Sequence, residues 1–135
     1  MLSKTEQAAG RILIGQRIVV AAAGLIGLAG VLSAAAASHA ETSRNLTSIA
    51  MICLSHGPAL LALGLAGRGR LLSLSAGLLV LGTVLFVADL CARQWLGHGL
   101  FPGAAPLGGA GMIGGWALIV VAGIVWRQAK DNAES

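Results

Sequence analysis

Charge is what this chain has least of: only 10% of its 135 residues are Asp, Glu, Lys or Arg, against about 25% in ordinary soluble domains. A water-soluble fold of this length needs a polar face on nearly every element, so the scarcity excludes one. Tyrosine is absent, and the nine Lys and Arg are dispersed at the ends of apolar blocks with no basic run. The formal charge of +4 and pI near 10.1 therefore do not point to nucleic acid as a partner. Only two cysteines are present, Cys53 and Cys91. They form neither a CxxC pair nor a disulfide framework. Read as helical residues they differ in membrane depth by about 10 Å, beyond the roughly 4.4–6.8 Å Cα separation of a bridge. Both read as small packing residues.

What the chain has instead is apolar length: 56% of it is hydrophobic, and the mean hydropathy is +0.85. Four runs stand out, residues 18–38, 46–66, 71–91 and 105–126, each 21 or 22 residues long, with Asp89 as their only formally charged member. A helix of that length covers the roughly 30 Å hydrocarbon core of a bilayer. The expected fold is all-α, an integral membrane four-helix bundle forming a single domain over residues 1–135. Lys4, Arg11, Arg17, Arg68, Arg70, Arg127 and Lys130 fall on one side, seven in all, and Arg44 and Arg93 on the other, two. Cytoplasmic loops carry the excess of Lys and Arg, so both ends are expected in the cytoplasm of a bacterial inner-membrane, multi-pass protein. Trp126, Trp95 and Phe101 sit where interfacial anchors belong. Trp116, near the middle of the fourth run, does not. A rival reading takes the first run as a signal peptide, with Ala35, Ala37, Ser38 and Ala40 as small residues at cleavage spacing. The full spanning length of that run favours a retained helix.

Three stretches carry a family likeness: SAAAASHA at residues 33–40, LSHGPALLALGLAG at 54–67 and APLGGAGMIGGW at 105–116. With them the chain resembles the small four-span bacterial inner-membrane proteins of the YgdD and YwdK kind, a domain family of unknown function. The matching positions are His39, His56, Pro106, Gly108, Gly109, Gly115 and Trp116. Ser55 stands where the family tends to have Tyr, and Asp89 where it has small residues. The resemblance implies a fold and no reaction.

Among candidate site residues His56 is the sharpest, because an ionisable group at the centre of a span is costly and normally faces the bundle interior. Buried, the ring is neutral by default, with one nitrogen donating and one accepting. Pro58 deprives the Leu54 carbonyl of its helical partner. His56 and Ser55 are expected to satisfy this broken turn or a neighbouring helix backbone, with a proton relay as the competing role. Asp89 falls about 12 Å from the centre of its helix. Arg93 lies four residues on, where an ion pair is favourable, and the pair is expected to snorkel into the headgroups. Ser75, Gly82 and Asp89 recur at spacing seven and should face the bundle.

On the expected periplasmic face lie His39, Glu41, Arg44 and His98. An HxE pair without a further spaced ligand does not make a metal site. Gly109, Gly111 and Gly114 spell GxGxxG, but no strand precedes them, so no nucleotide and no other cofactor is expected. Gly24 and Gly27 in the first run, and Gly108, Gly109, Gly111 and Gly115 in the fourth, are expected to let helices approach closely. No nucleophile and base stand at credible spacing, so the chain reads as non-catalytic. The expected partners are the lipid bilayer and either a second copy or a larger membrane complex. The expectation is an accessory subunit, and the alternative is a small-solute or proton translocator using His56.

Overall fold

A computed structural model describes the backbone of residues 4–39 and 43–134, with side chains for residues 10, 14–39 and 43–125. Four helices follow in order: α1 (Lys4–His39), α2 (Arg44–Ala66), α3 (Arg70–Leu96) and α4 (Ala104–Glu134). The helices outrun the apolar runs because hydropathy marks only what lipid covers. Gln, Lys, Ala and Arg are good helix formers and extend α1 backward and α3 and α4 forward. Ser43 starts α2, its Oγ accepting the Leu46 N–H at 3.3 Å, and the Gly67 N–H closes it on the Leu63 carbonyl at 2.8 Å. Gly97, at φ 78, ends α3 in the left-handed conformation that glycine adopts without strain.

Each helix contains a segment long and apolar enough to cross a membrane: Ile14–His39, Arg44–Ala66, Arg70–Trp95 and Ala104–Val125. Burial confirms which solvent suits the molecule. Leu25 (68%), Leu81 (70%) and Ile113 (72%) expose most of their surface, while Ser75, Thr83 and Asp89 are fully buried. Apolar exposure on this scale is tolerable in lipid and not in water. The chain is an all-α, multi-pass membrane protein.

The helices pair as two antiparallel hairpins, each closed by glycine. Between α1 and α2, a Cβ on Gly57 would lie 3.2 Å from the Gly27 nitrogen, one on Gly64 2.7 Å from a Val20 methyl, and one on Gly30 2.9 Å from the Leu54 side chain. Between α3 and α4 the approach is tighter. A Cβ on Gly82 would stand 2.7 Å from both the Gly108 carbonyl and the Met112 nitrogen, and one on Gly108 2.7 Å from the Phe86 nitrogen. Ser75 adds a buried hydrogen bond, its hydroxyl donating to the Gly115 carbonyl at 2.8 Å. With no hydrophobic effect between helices in lipid, such close backbone packing and interhelical hydrogen bonds supply the association.

Two of the expected packing glycines lie elsewhere. A Cβ on Gly24 or on Gly109 would meet nothing within 4 Å. At 3.6 residues per turn, the α1 seam through Val20, Ala23, Gly27 and Gly30 leaves Gly24 about a quarter turn away, and the α4 seam through Gly108, Gly111 and Gly115 leaves Gly109 about a third of a turn away. Gly27 serves as the surface onto which Gly57 packs; its own Cβ position is open.

The hairpins meet through α2 and α3, while among the described residues α4 packs backbone to backbone on α3 alone. The bundle is thus open on the α4 side. At one end Ser43 donates to Gln94 Oε1 at 2.7 Å, tying the first connection to the end of α3. At the other, Gln16 Nε2 donates to the Gly67 carbonyl at 3.4 Å, holding α1 against the second connection. Four antiparallel helices put the start of α1, the end of α4 and the Arg68–Arg70 connection at one end, and Arg44 and Arg93 at the other. The side chains of Lys4, Arg11, Glu41, Trp126, Arg127 and Lys130 lie outside the described residues.

Candidate functional site

Two of the polar groups buried in the spans, His56 and Asp89, anchor separate stations. The first is at mid-membrane. His56 sits at the centre of the α2 span and is 7% exposed. Its Nε2 accepts the indole N–H of Trp116 on α4 at 3.2 Å, and its Nδ1 lies 2.9 Å from the Ile52 carbonyl one turn back. An indole nitrogen can only donate and a carbonyl can only accept, so the two contacts fit a ring that donates from Nδ1 and accepts at Nε2. The two rings meet edge to face, centroids 6.0 Å apart at 74°, an arrangement aromatic rings favour.

This geometry corrects the expectation for the broken turn. Neither His56 nor Ser55 reaches the Leu54 carbonyl. Ser55 is exposed and donates to the Ile52 carbonyl at 3.0 Å, beside His56 Nδ1 at the same distance. The interhelical partner of His56 is a side chain on α4, reached across a gap that the backbones of α2 and α4 do not close. Gly57 also acts differently from the flexible residue its place beside Pro58 suggests, since it packs on the backbone of α1. Nothing in the sequence marks Thr83, yet its Oγ1 is buried near the middle of α3 with no hydrogen-bond partner among the described residues.

The second station closes the α3–α4 connection. Asp89 Oδ2 accepts from Arg93 Nε at 2.7 Å, and Oδ1 accepts the Leu100 N–H at 2.8 Å. The ion pair forms at the expected spacing, but the carboxylate does not snorkel: it is fully buried, and only Arg93, 47% exposed, reaches outward. Gly99 permits this fold-back, because a Cβ there would lie 2.6 Å from Asp89 Oδ1 and 2.7 Å from Arg93 Nη2. Asp89 thus holds the connection against the end of α3.

The remaining candidates stay apart. His39 ends α1, exposed, while His98 is exposed and among the described residues bonds only the neighbouring Gly99 carbonyl. Among the described residues no three His, Cys, Asp or Glu side chains converge to hold a metal. Cys53 is buried and Cys91 half-buried, both as free thiols.

The His56–Trp116 bond predicts a coupling that can be measured. Single changes His56→Leu and Trp116→Phe should each lower stability in detergent by about 1–2 kcal/mol, and the double variant should fall short of their sum by about 0.6–1.7 kcal/mol. His56→Gln should be tolerated, because its amide oxygen can accept the indole N–H. Strict additivity in thermal or denaturant unfolding would mean that the two side chains do not share the bond.

A family described as protein of unknown function (DUF423) matches residues 20–109 of this chain. The chain belongs to that family. The match takes in His56, Asp89 and the Gly82–Gly108 contact, and it stops short of Trp116. Searches of curated proteins and of solved structures return no match.

Proposed function

We propose that this family member is a non-catalytic protein of the bacterial inner membrane, with both ends in the cytoplasm, that packs as an accessory subunit in a larger membrane complex. The narrower likeness to proteins of the YgdD and YwdK kind is part of the same proposal. The observation that carries it is the commitment of both His56 nitrogens. A proton relay must take a proton from one side and release it to the other. Here one nitrogen faces a group that only donates, and the other faces a carbonyl of its own helix, with the Ser55 hydroxyl beside it already donating to that same carbonyl. His56 is therefore a clasp between the two hairpins. Accessory packing is supported by α4, whose outer residues Ile113, Val120 and Ile124 are exposed, while among the described residues its backbone packs on α3 alone and it reaches α2 through Trp116.

Purified protein in proteoliposomes should pass no more protons than empty vesicles, and should migrate in mild detergent with a stoichiometric partner. Proton flux that disappears in a folded His56→Gln variant would overturn the clasp reading. Migration alone or only with copies of itself would overturn the accessory reading. Orientation is tested separately. The seven-to-two basic asymmetry predicts cytoplasmic reporter activity for a fusion at Ser135 and periplasmic activity for one near Gly99.

A further inference from the structure

A cavity of about 790 Å³ opens between α1, the end of α2 and the start of α3. That volume lies within the roughly 300–1,000 Å³ of sites that hold a small ligand. Its chemistry is graded along the membrane normal. Arg68 and Arg70, both exposed, stand at the mouth on the connection, while Val19, Leu63, Leu72 and Ala76 form apolar walls deeper in. Ser73 supplies a hydroxyl between the two zones, and none of the lining residues is acidic. Among the described side chains the only carboxylate is Asp89, at the other end of the bundle and paired with Arg93. Arg17 lines an adjoining hollow that shares Gln16, Gly64 and Leu65 with the first. Among the described residues no side chain caps the first turn of α3 behind Gly69, so its first N–H groups stand near the same mouth.

We propose that this cleft holds the headgroup phosphate of an anionic phospholipid, with Arg68 and Arg70 as its cationic clamp and an acyl chain running along the apolar walls. The proposal rests on the membrane-spanning fold and not on the accessory role. Charge complementarity selects the occupant: arginine forks match phosphate oxygens, and basic clefts between helices at the aqueous end of a span suit anionic headgroups. A free phosphate would use the mouth and leave the apolar walls uncovered. A lipid uses both. Gly64 lets α2 lie close against Val20 of α1, and the start of α3 lines the cleft beside that contact.

The test measures binding of fluorescent phosphatidylglycerol and of phosphatidylcholine with the same chains to the full-length protein in neutral detergent. The expected preference for phosphatidylglycerol is about 25-fold, about fivefold from each arginine. The double variant R68Q/R70Q should abolish it. Ser73→Trp, which fills the cleft and keeps both arginines, should abolish it too, whereas Arg44→Gln at the opposite end should leave it intact. Helix content by circular dichroism checks that each variant is folded. Equal affinity for the two lipids, or a preference that survives the arginine change, overturns the proposal. So does survival in folded Ser73→Trp, which would mean diffuse surface attraction, or competition by inorganic phosphate at concentrations near that of the lipid, which would mean a phosphate site without a lipid.

Discussion

A single methyl group on Gly82 should lower the stability of the protein in detergent by about 2–3 kcal/mol, the upper range for overpacking a tight interior. The added Cβ would lie 2.7 Å from the Gly108 carbonyl and from the Met112 nitrogen. Both are backbone atoms of α4, so no side-chain rotation relieves the clash and the helices must part. Parting them also stretches the Ser75 hydrogen bond to the Gly115 carbonyl. Gly108→Ala should behave alike, because its Cβ meets the Phe86 nitrogen at 2.7 Å. Gly115→Ala should cost somewhat less, since its two closest contacts are Leu79 side-chain atoms and the nearest backbone atom, the Leu79 nitrogen, lies farther off at 3.2 Å. Gly109→Ala is the control: its Cβ enters open space, and alanine is the better helix former, so stability should hold or rise. Thermal unfolding of the four variants in one detergent reads the order directly. If Gly82→Ala matches the wild type, Gly82 does not lie in the α3–α4 seam.

Loss of the Asp89 carboxylate should have an effect at least as large as loss of the His56 ring, and confined at first to one end of the molecule. Asp89→Leu removes the acceptor of the Leu100 N–H and the partner of Arg93 together. The 97–103 connection then loses the hydrogen bond that ties it to α3. An N–H that loses its acceptor inside the fold costs more than a surface contact does. Arg93 fares better, since its exposed side chain can turn to water or headgroups. Asp89→Asn should therefore be much milder than Asp89→Leu, because an amide oxygen can still accept from Leu100. Limited proteolysis at Arg93 reports the connection, and thermal unfolding reports the whole. Asp89→Leu should be cut faster than the wild type before any general loss of helix. Cleavage and stability both unchanged would show that Asp89 is dispensable to the fold-back.

The two buried stations differ in how far local sequence reveals them. Arg93 could be paired with Asp89 from spacing alone, because residues four apart on a helix are neighbours whatever surrounds them. The second acceptor role of Asp89 could not, since Leu100 returns to it only after the chain has turned at Gly97. For His56 one signal was present: Trp116 is an indole at mid-span, away from the interface where tryptophan normally sits, and so in need of an acceptor. The two lie 60 positions apart on helices whose backbones do not pack together, and no periodicity links them.

Sequence by itself determined the solvent, the number of helices and their alternation, because these follow from sums over many residues. Long uncharged runs must cross a bilayer as helices, since only there are all backbone groups paired within the segment. Tertiary structure alone decided which glycines bear contact, what His56 and Asp89 bond, and where a cleft remains. A rotation of a helix by a quarter turn leaves its hydropathy unchanged yet exchanges Gly24 for Gly27 at the seam. In a lipid-facing helix apolar residues cover every side, so hydropathy marks no inward face. Close approach of backbones and a few directional hydrogen bonds set that choice, and both depend on atoms far apart in the chain.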